Sequence, residues 1–301
     1  MLIVYPADPS YPRRPDAAFA DEASAAAAVG FAVGFAGLEL HADDEVTLRI
    51  PPGSGPALYR GWMLSTTNYE KLDLSLAARG YELINDCAAY AHSYSLPDWY
   101  EAIGGASATP RSIWFAGSQF DLDAIAASVA AAFRDQPVIL KDYVKSRKHE
   151  WFDACFIRDA SDATEVKRVT SNFLRLQDDS LVGGLVFREF IEFKQVGLHS
   201  KSRMPLVREY RLFILDGAKV TNAPYWGEGN YEGDVPDFSS ADAAIARVKS
   251  RFFAIDVAQK AAGDWLIMEI NDGGSAGIPE GGDLGVFYQR LAHACNVHTP
   301  E

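Results

Sequence analysis

Cysteine is scarce in this 301-residue chain. The three present, Cys87, Cys155 and Cys295, stand far apart and without metal-type spacing. That excludes a disulfide framework and a cysteine-based zinc site, and it points to buried thiols in a reducing compartment. Long apolar runs are missing too. No stretch approaches the roughly 20 residues that a bilayer-spanning helix needs, and residues 2–5 read as a short strand, not a signal peptide, because no basic segment precedes them. The expectation is a cytoplasmic protein with no membrane partner. Positive charge is the third shortage: Lys and Arg number 28 against 41 Asp and Glu, a net charge of -13, and such a field repels nucleic-acid backbones. Basic residues gather only at Lys141, Lys145, Arg147 and Lys148. No helix-turn-helix, finger or aromatic-basic platform accompanies them, so the group suits a triphosphate and a nucleic-acid partner is not expected.

What is present is enough for one large or two modest domains with real cores, and 48% of the residues are hydrophobic, as in a soluble globular protein. The order of elements is that of an α/β protein. A strand at 2–5, an Ala-rich helix at 17–30, mixed strand and turn at 31–40, a loop at 51–56, a further unit at 57–64, a helix near 69–79 stopped by Gly80 and a strand at 81–84 make an open α/β unit. Residues 104–110 read as a linker. Beyond it come a strand at 112–116, a helix at 122–133, a strand at 138–143, a helix within 161–176, and strands at 186–193, 209–215, 252–257 and 265–271. There is no internal repeat.

The last of these strands carries the most chemistry. Alternation sends Glu269 and Asn271 to one face, and Asp256, expected at the end of the preceding strand, can join them. Two carboxylates and an amide form a hard, all-oxygen set suited to Mg²⁺ carrying nucleotide phosphates. Taken alone, the same residues also describe an ordinary strand with an Asp272-Gly273-Gly274 turn after it. Lys141, closing the run Val138, Ile139 and Leu140, is either a phosphate-reaching ammonium or a plain surface lysine.

The order of motifs upstream narrows the choice. Glu189, Phe190, Ile191 and Glu192 are followed by an arginine-opened strand at Arg211, then Asp256, then the Glu269-x-Asn271 strand. In this the chain resembles the ATP-grasp superfamily, and segments 58–63, 95–100 and 141–151 make it similar to the clade named for a conserved arginine and two lysines. The resemblance implies an N-terminal pre-ATP-grasp α/β domain (1–105) and an ATP-grasp module (106–301) whose lid subdomain (106–185) and metal and substrate subdomain (186–301) clasp ATP.

It further implies that Lys141, Lys145 and Lys148 hold phosphates, charge replacing the usual glycine-rich loop. Residues Glu189, Phe190 and Ile191 would read adenine while Glu192 takes the ribose, although Phe190 and Ile191 also suit a core. Arg211 would act with Lys141 in catalysis, its alternative being an ion pair with Glu209 or Glu189. Asp256, Glu269 and Asn271 would hold Mg²⁺. The implied reaction is carboxylate–amine ligation through an acyl-phosphate, on small-molecule or peptide substrates. It needs no enzyme nucleophile, and none with an obvious activating partner is found. The sequence Lys141-Asp142-Tyr143-Val144 also lacks the Lys-x-Asp-Gly pattern of covalent nucleotidyl transfer. A catalytically silent nucleotide-binding sensor or scaffold is the alternative. Tyr11, Arg13, Arg14, Arg60 and Trp62 are candidates for a substrate pocket, with Trp62 expected in the core and Arg60 equally suited to either place. The Asp272 to Gly277 segment either wraps an acyl acceptor or is a flexible turn.

Overall fold

The computed structural model describes residues 1–38, 46–200, 205–233 and 235–297. Residues 39 and 40, the end of the segment read as mixed strand and turn, lie outside them. The N-terminal strand β1 (Leu2–Pro6) is buried at every position, because it occupies the middle of a five-stranded sheet. With β2 (Ala32–Gly37), β3 (Thr47–Arg49), β4 (Gly55–Tyr59) and β5 (Tyr81–Leu83), the order is β3-β2-β1-β4-β5. All neighbours are parallel except the β2–β3 edge pair, and parallel strands covered on both faces read as continuous apolar runs. Ile3 and Tyr5 face one core, which includes Ala23 and Ala26 of α1 (Ala20–Ala28). Leu2 and Val4 face another, which includes Leu72 and Leu76 of α2 (Thr66–Ala77). Two short helices, α3 (Cys87–Tyr94) and α4 (Leu96–Tyr100), follow β5.

A second, antiparallel sheet contains β6 (Ser112–Ala116), β7 (Val138–Asp142), β8 (Phe156–Ile157) and β9 (Gly184–Glu189) in the order β6-β9-β7-β8. Helices α5 (Leu122–Phe133) and α6 (Ala163–Gln177), capped by Asp121 and Asp162, bury Val129, Phe133, Val166, Val169 and Phe173 against it. The strand read as 186–193 therefore ends four residues early. Its last pair is Val138 with Glu189, and the next residue on the partner side, Pro137, has no N–H with which to continue the ladder.

The third sheet joins β12 (Glu209–Leu215), β13 (Ala218–Pro224), β14 (Phe252–Gln259) and β15 (Trp265–Asp272), ordered β13-β12-β14-β15 and antiparallel throughout. It is preceded by the hairpin of β10 (Gln195–Leu198) and β11 (Pro205–Val207). Strand β14 outruns the expected 252–257, which puts Asp256 inside the strand. Asp216 and Gly217, both with positive φ (49° and 79°), make the tight turn between β12 and β13. Tyr210, Leu212 and Ile214 enter a core with Trp99 and Tyr100 of α4 and with Ala244 and Ile245 of α7 (Asp242–Ile245). Phe213 and Leu215 point the other way, into the core shared by β1, α1 and α8 (Leu284–Ala294).

The first and third sheets are tied by one guanidinium. Arg60, buried just beyond β4, binds the Glu22 carboxylate in bidentate fashion (2.7–3.0 Å) and donates at 2.7 Å to the carbonyls of both Gly273 and Ala276. Tyr288 donates to Glu22 at 2.6 Å and accepts from Tyr5 at 2.9 Å. Arg60 is thus a core residue. Trp62 is the reverse of its expected place: it is 54% exposed, edge-on to Phe19 with ring centroids 4.9 Å apart. The chain has left β4 by then, and strand alternation no longer directs its side chain inward. Removing one partner of a buried, hydrogen-bonded pair leaves a charge uncompensated. Arg60→Ala is therefore expected to lower unfolding free energy by about 3–5 kcal/mol, measured by urea denaturation.

Candidate active site

The site is a row of charges across three strands. Strand register pairs Arg211 of β12 with Asp256 of β14, and Asp256 with Glu269 of β15. Arg211 grips the Asp256 carboxylate through two parallel hydrogen bonds, both 2.7 Å, donates at 3.0 Å to the Gly277 carbonyl and lies 4.9 Å from the Tyr225 ring centroid. Its ion-pair partner is Asp256, not Glu209 or Glu189. Asn271, two residues beyond Glu269, shares its face, and its side-chain amide makes no hydrogen bond among the described residues.

Cations meet this row from the second sheet. Lys141 of β7, 6% exposed, donates to Glu269 at 2.8 Å, and Lys148 in the following loop is drawn on by Glu209, Glu269 and Tyr225. Lys145 is exposed and makes no ion pair among the described residues. Arg147 is taken up by Glu150 and Gln177. Sequence reasoning assigned three contributors no part in the site: Arg188, Tyr225 and Glu209, the last weighed only as an ion-pair partner of Arg211. Arg188 is buried, donates to the carbonyl of Met268 (2.6 Å) and the hydroxyl of Thr109, and keeps its Nε without a partner. Glu209 had a legible signal, since it stands two residues before Arg211 on the same strand face. Arg188 had none, because its partners are some 80 residues away in sequence.

Four cations (Lys141, Lys148, Arg188, Arg211) thus surround three carboxylates (Glu209, Asp256, Glu269), a locally positive cluster in a chain of net charge -13. Burial pushes the Glu269 carboxyl up, but Lys141, Lys148 and Arg188 outweigh it and hold the group below the usual carboxylate range. Burial pushes the Arg188 guanidinium down to about 10, and burial together with Asp256 pushes the Glu209 carboxyl up to about 7. Of the cysteines, only Cys155 lies near these groups, where Lys148 and Lys141 act on its buried thiol. Burial raises all three thiols, Cys155 to about 12 and Cys87 and Cys295 to about 11.

The segment after β9 links the second and third sheets. Phe190 N–H bonds the Pro137 carbonyl, and the Phe190 ring packs against Phe156 and Trp151 (5.2 and 6.2 Å). The Ile191 N–H has no partner among the described residues, and the Glu192 carbonyl accepts from Ala261. Glu189 is half-buried and Glu192 exposed, outside the strand it was expected to end. Of the predicted substrate-pocket residues, Tyr11, Arg13 and Arg14 are exposed, with Arg14 over the Tyr11 ring at 5.3 Å. The Asp272 to Ala276 segment is pinned: Asp272 accepts from Asn85, Gly274 and Ser275, and Gly61 N–H bonds the Gly274 carbonyl at 3.0 Å. Among the described residues no three His, Cys, Asp or Glu side chains form a complete metal cage. Asp256, Glu269 and Asn271 remain a two-carboxylate, one-amide set, which fits Mg²⁺ when phosphates and water supply its other ligands.

A mixed α/β chain with these sheets has the ATP-grasp fold. Residues 128–291 match the ATP-grasp domain model of family 3 in the clade named for one arginine and two lysines, and the chain belongs to that family. Three solved structures share its fold over nearly full length. A RimK-domain ATP-grasp protein from Sphaerobacter thermophilus has a TM-score of 0.62 at 14% identity, covering 97% of this chain and 98% of its own. The D-cycloserine synthetase DcsG has a TM-score of 0.59 at 14% identity, covering 98% and 99%. The ATP-grasp ligase PsnB, complexed with a minimal precursor, Mg and ADP, has a TM-score of 0.56 at 14% identity, covering 98% of each. Comparison with curated protein sequences gives no significant match.

The raised Glu209 carboxyl has a pH signature in the ligand-free protein. Below the unfolded-state value of about 4.3 both states are protonated. As pH rises from there to about 7, the unfolded chain releases its proton first, so this group lowers stability progressively and the loss is complete above about 7. Glu209→Gln should remove that decline, seen as a smaller fall in denaturation midpoint between pH 5 and pH 8.

Proposed function

We propose that this protein is an ATP- and Mg²⁺-dependent carboxylate–amine ligase that forms an amide or peptide bond through an acyl-phosphate. The observation that carries the reading is the Arg211–Asp256–Glu269 row met by Lys141 and Lys148 from the opposite sheet. A polyanion entering between them finds cations in place, and the carboxylates beneath are of the kind that hold its counter-ion. Relatives in fold named as a D-cycloserine synthetase and as the macrocyclase MdnC support a ligating chemistry on amino-acid-like or peptide substrates. We read residues 1–105 as the pre-ATP-grasp domain, 106–185 as the lid and 186–301 as the metal and substrate subdomain.

In this reading the ion pairs of the ligand-free protein exchange partners. Lys141 passes from Glu269 to the nucleotide phosphates, Lys148 and Lys145 close from the lid, and Arg211 turns from Asp256 to the transferring phosphoryl group. Asp256, Glu269 and Asn271 would hold Mg²⁺, which neutralises charge across the β- and γ-phosphates. The Ile191 N–H and its neighbours at Glu189 and Phe190 offer adenine a backbone edge, and exposed Glu192 can accept ribose hydroxyls. A substrate carboxylate oxygen attacks the γ-phosphorus as the bond to ADP breaks. The amine nitrogen then attacks the acyl carbon, phosphate leaves and the amine gives up a proton. Arg211 stabilises the charge that builds on the phosphoryl oxygens. A silent sensor module would have less need of a complete row of this kind.

ATP with Mg²⁺ should raise the melting temperature by binding the folded state, and GTP should do so less. Equal shifts would remove the backbone-edge adenine pocket. An ADP-release screen against pooled amino acids and peptides, followed by mass spectrometry for a product formed with loss of water, tests the reaction. Glu269→Gln should cut that turnover by about 10²-fold or more while the protein still folds. Near-wild-type turnover would end the metal assignment.

A further inference from the structure

Beside the charge row lies a cavity of about 350 Å³ that no step above uses. Its floor is the same face of the third sheet that carries Arg211. Register places Ala223 opposite Arg211 and Thr221 opposite Phe213, and all four line the cavity. The roof is α8 and the turn before it, with Ile278, Pro279, Val286 and Phe287. Apolar surface therefore dominates, and Arg211 stands at one limit.

Arg290 is the one further cation among the described residues that line this cavity. It lies four and three residues beyond Val286 and Phe287, on the same side of α8. Unlike Arg211, which is matched by Asp256, Arg290 has no ion pair or hydrogen bond among the described residues. Asp283 also lines the cavity, but its Oδ1 caps α8 through the Val286 N–H, and it forms no ion pair with Arg290 among the described residues. An apolar chamber with an unmatched guanidinium is complementary to an apolar molecule that bears an anionic group. Its volume, at the lower end of small-ligand sites, limits that molecule to amino-acid or small-peptide size.

We propose that this cavity is the subsite for the part of the substrate that does not react, and that Arg290 holds a carboxylate there while the apolar portion lies on Phe213 and Phe287. The ligand class is an apolar amino acid or the end of a short apolar peptide with a free carboxylate. Its assignment to the substrate end of the reaction rests on the ligase reading; the carboxylate preference of the cavity does not. Arg290 is a specificity-determining residue here, selecting what lies beside the phosphoryl-transfer row.

The test is calorimetric titration of the full-length protein with leucine, leucyl-leucine and the C-terminal amide of each. At least one acid should bind about tenfold or more tightly than its amide, the size expected of a hydrogen bond to a charged group. Preference for leucine assigns a free amino acid, and preference for the dipeptide assigns a peptide end. Arg290→Gln should erase the difference and Arg290→Lys restore part of it, with melting temperatures close to wild type because the side chain is exposed. No binding by any probe, equal binding of acid and amide, or a preference that survives Arg290→Gln overturns the proposal. If the carboxylate preference holds but ATP with Mg²⁺ gives no thermal shift, the ligase reading and the assignment to its substrate fail, and the cavity stands as a carboxylate-binding site.

Discussion

Every charged group of the row takes its position from the register of β12, β14 and β15. Side chains on a strand alternate, so a slip of one residue would carry Arg211 and Asp256 into the core occupied by Trp99, Tyr100 and Ile267 and bring Leu212 and Ile255 out to the cleft. The charged row itself does not prevent this. What does is the apolar end of the same face, where Phe213, Leu215, Phe252 and Ala254 pack under α8 and against the first sheet. Hydrophobic burial at one end of each strand thus fixes the placement of charge at the other.

Charge in the cleft is held at low cost by mutual pairing. Unpaired, a buried Asp256 or Arg211 would be strongly destabilising; joined by two 2.7 Å hydrogen bonds, each satisfies the other. Lys141 and Glu269 repeat the arrangement one strand away. The ligand-free cleft is consequently assembled with its cations and carboxylates already in position. Under the proposed function, nucleotide binding would be an exchange of partners within a formed site, with little chain ordering left for it to drive.

Much of this was legible in the sequence. The terminal Glu269-x-Asn271 strand, Asp256, Arg211 and Lys141 could be named from period, motif order and a family resemblance, and the structure brings these five side chains to one face of the third sheet and to the strand β7 that meets it. Chain-local signals also read well, such as Gly80 after α2. The Asp216-Gly217 turn was equally local and announced β13, yet passed unread. Other features depend on contacts distant in sequence. Arg60 meets Glu22, Gly273 and Ala276, and nothing near residue 60 distinguishes that guanidinium from a ligand-binding one. The early end of β9 is set by the proline just before its partner strand β7, and Trp62 is exposed where the chain has already left β4.

The clamp on residues 272–276 has a consequence for how such a protein can diversify. Gly274 sits so close to Tyr59 that an added Cβ would lie 2.3 Å from its carbonyl oxygen, and Arg60 holds the carbonyls of Gly273 and Ala276. This stretch cannot be lengthened or decorated without unseating the first sheet. The turn at 278–283 and the open side of α8 carry no such bonds to the other sheets. Inheritance can therefore conserve the charged row as a rigid block while the adjoining surface drifts, so that variation in this lineage would arise by altering one helix and leaving the clamp untouched.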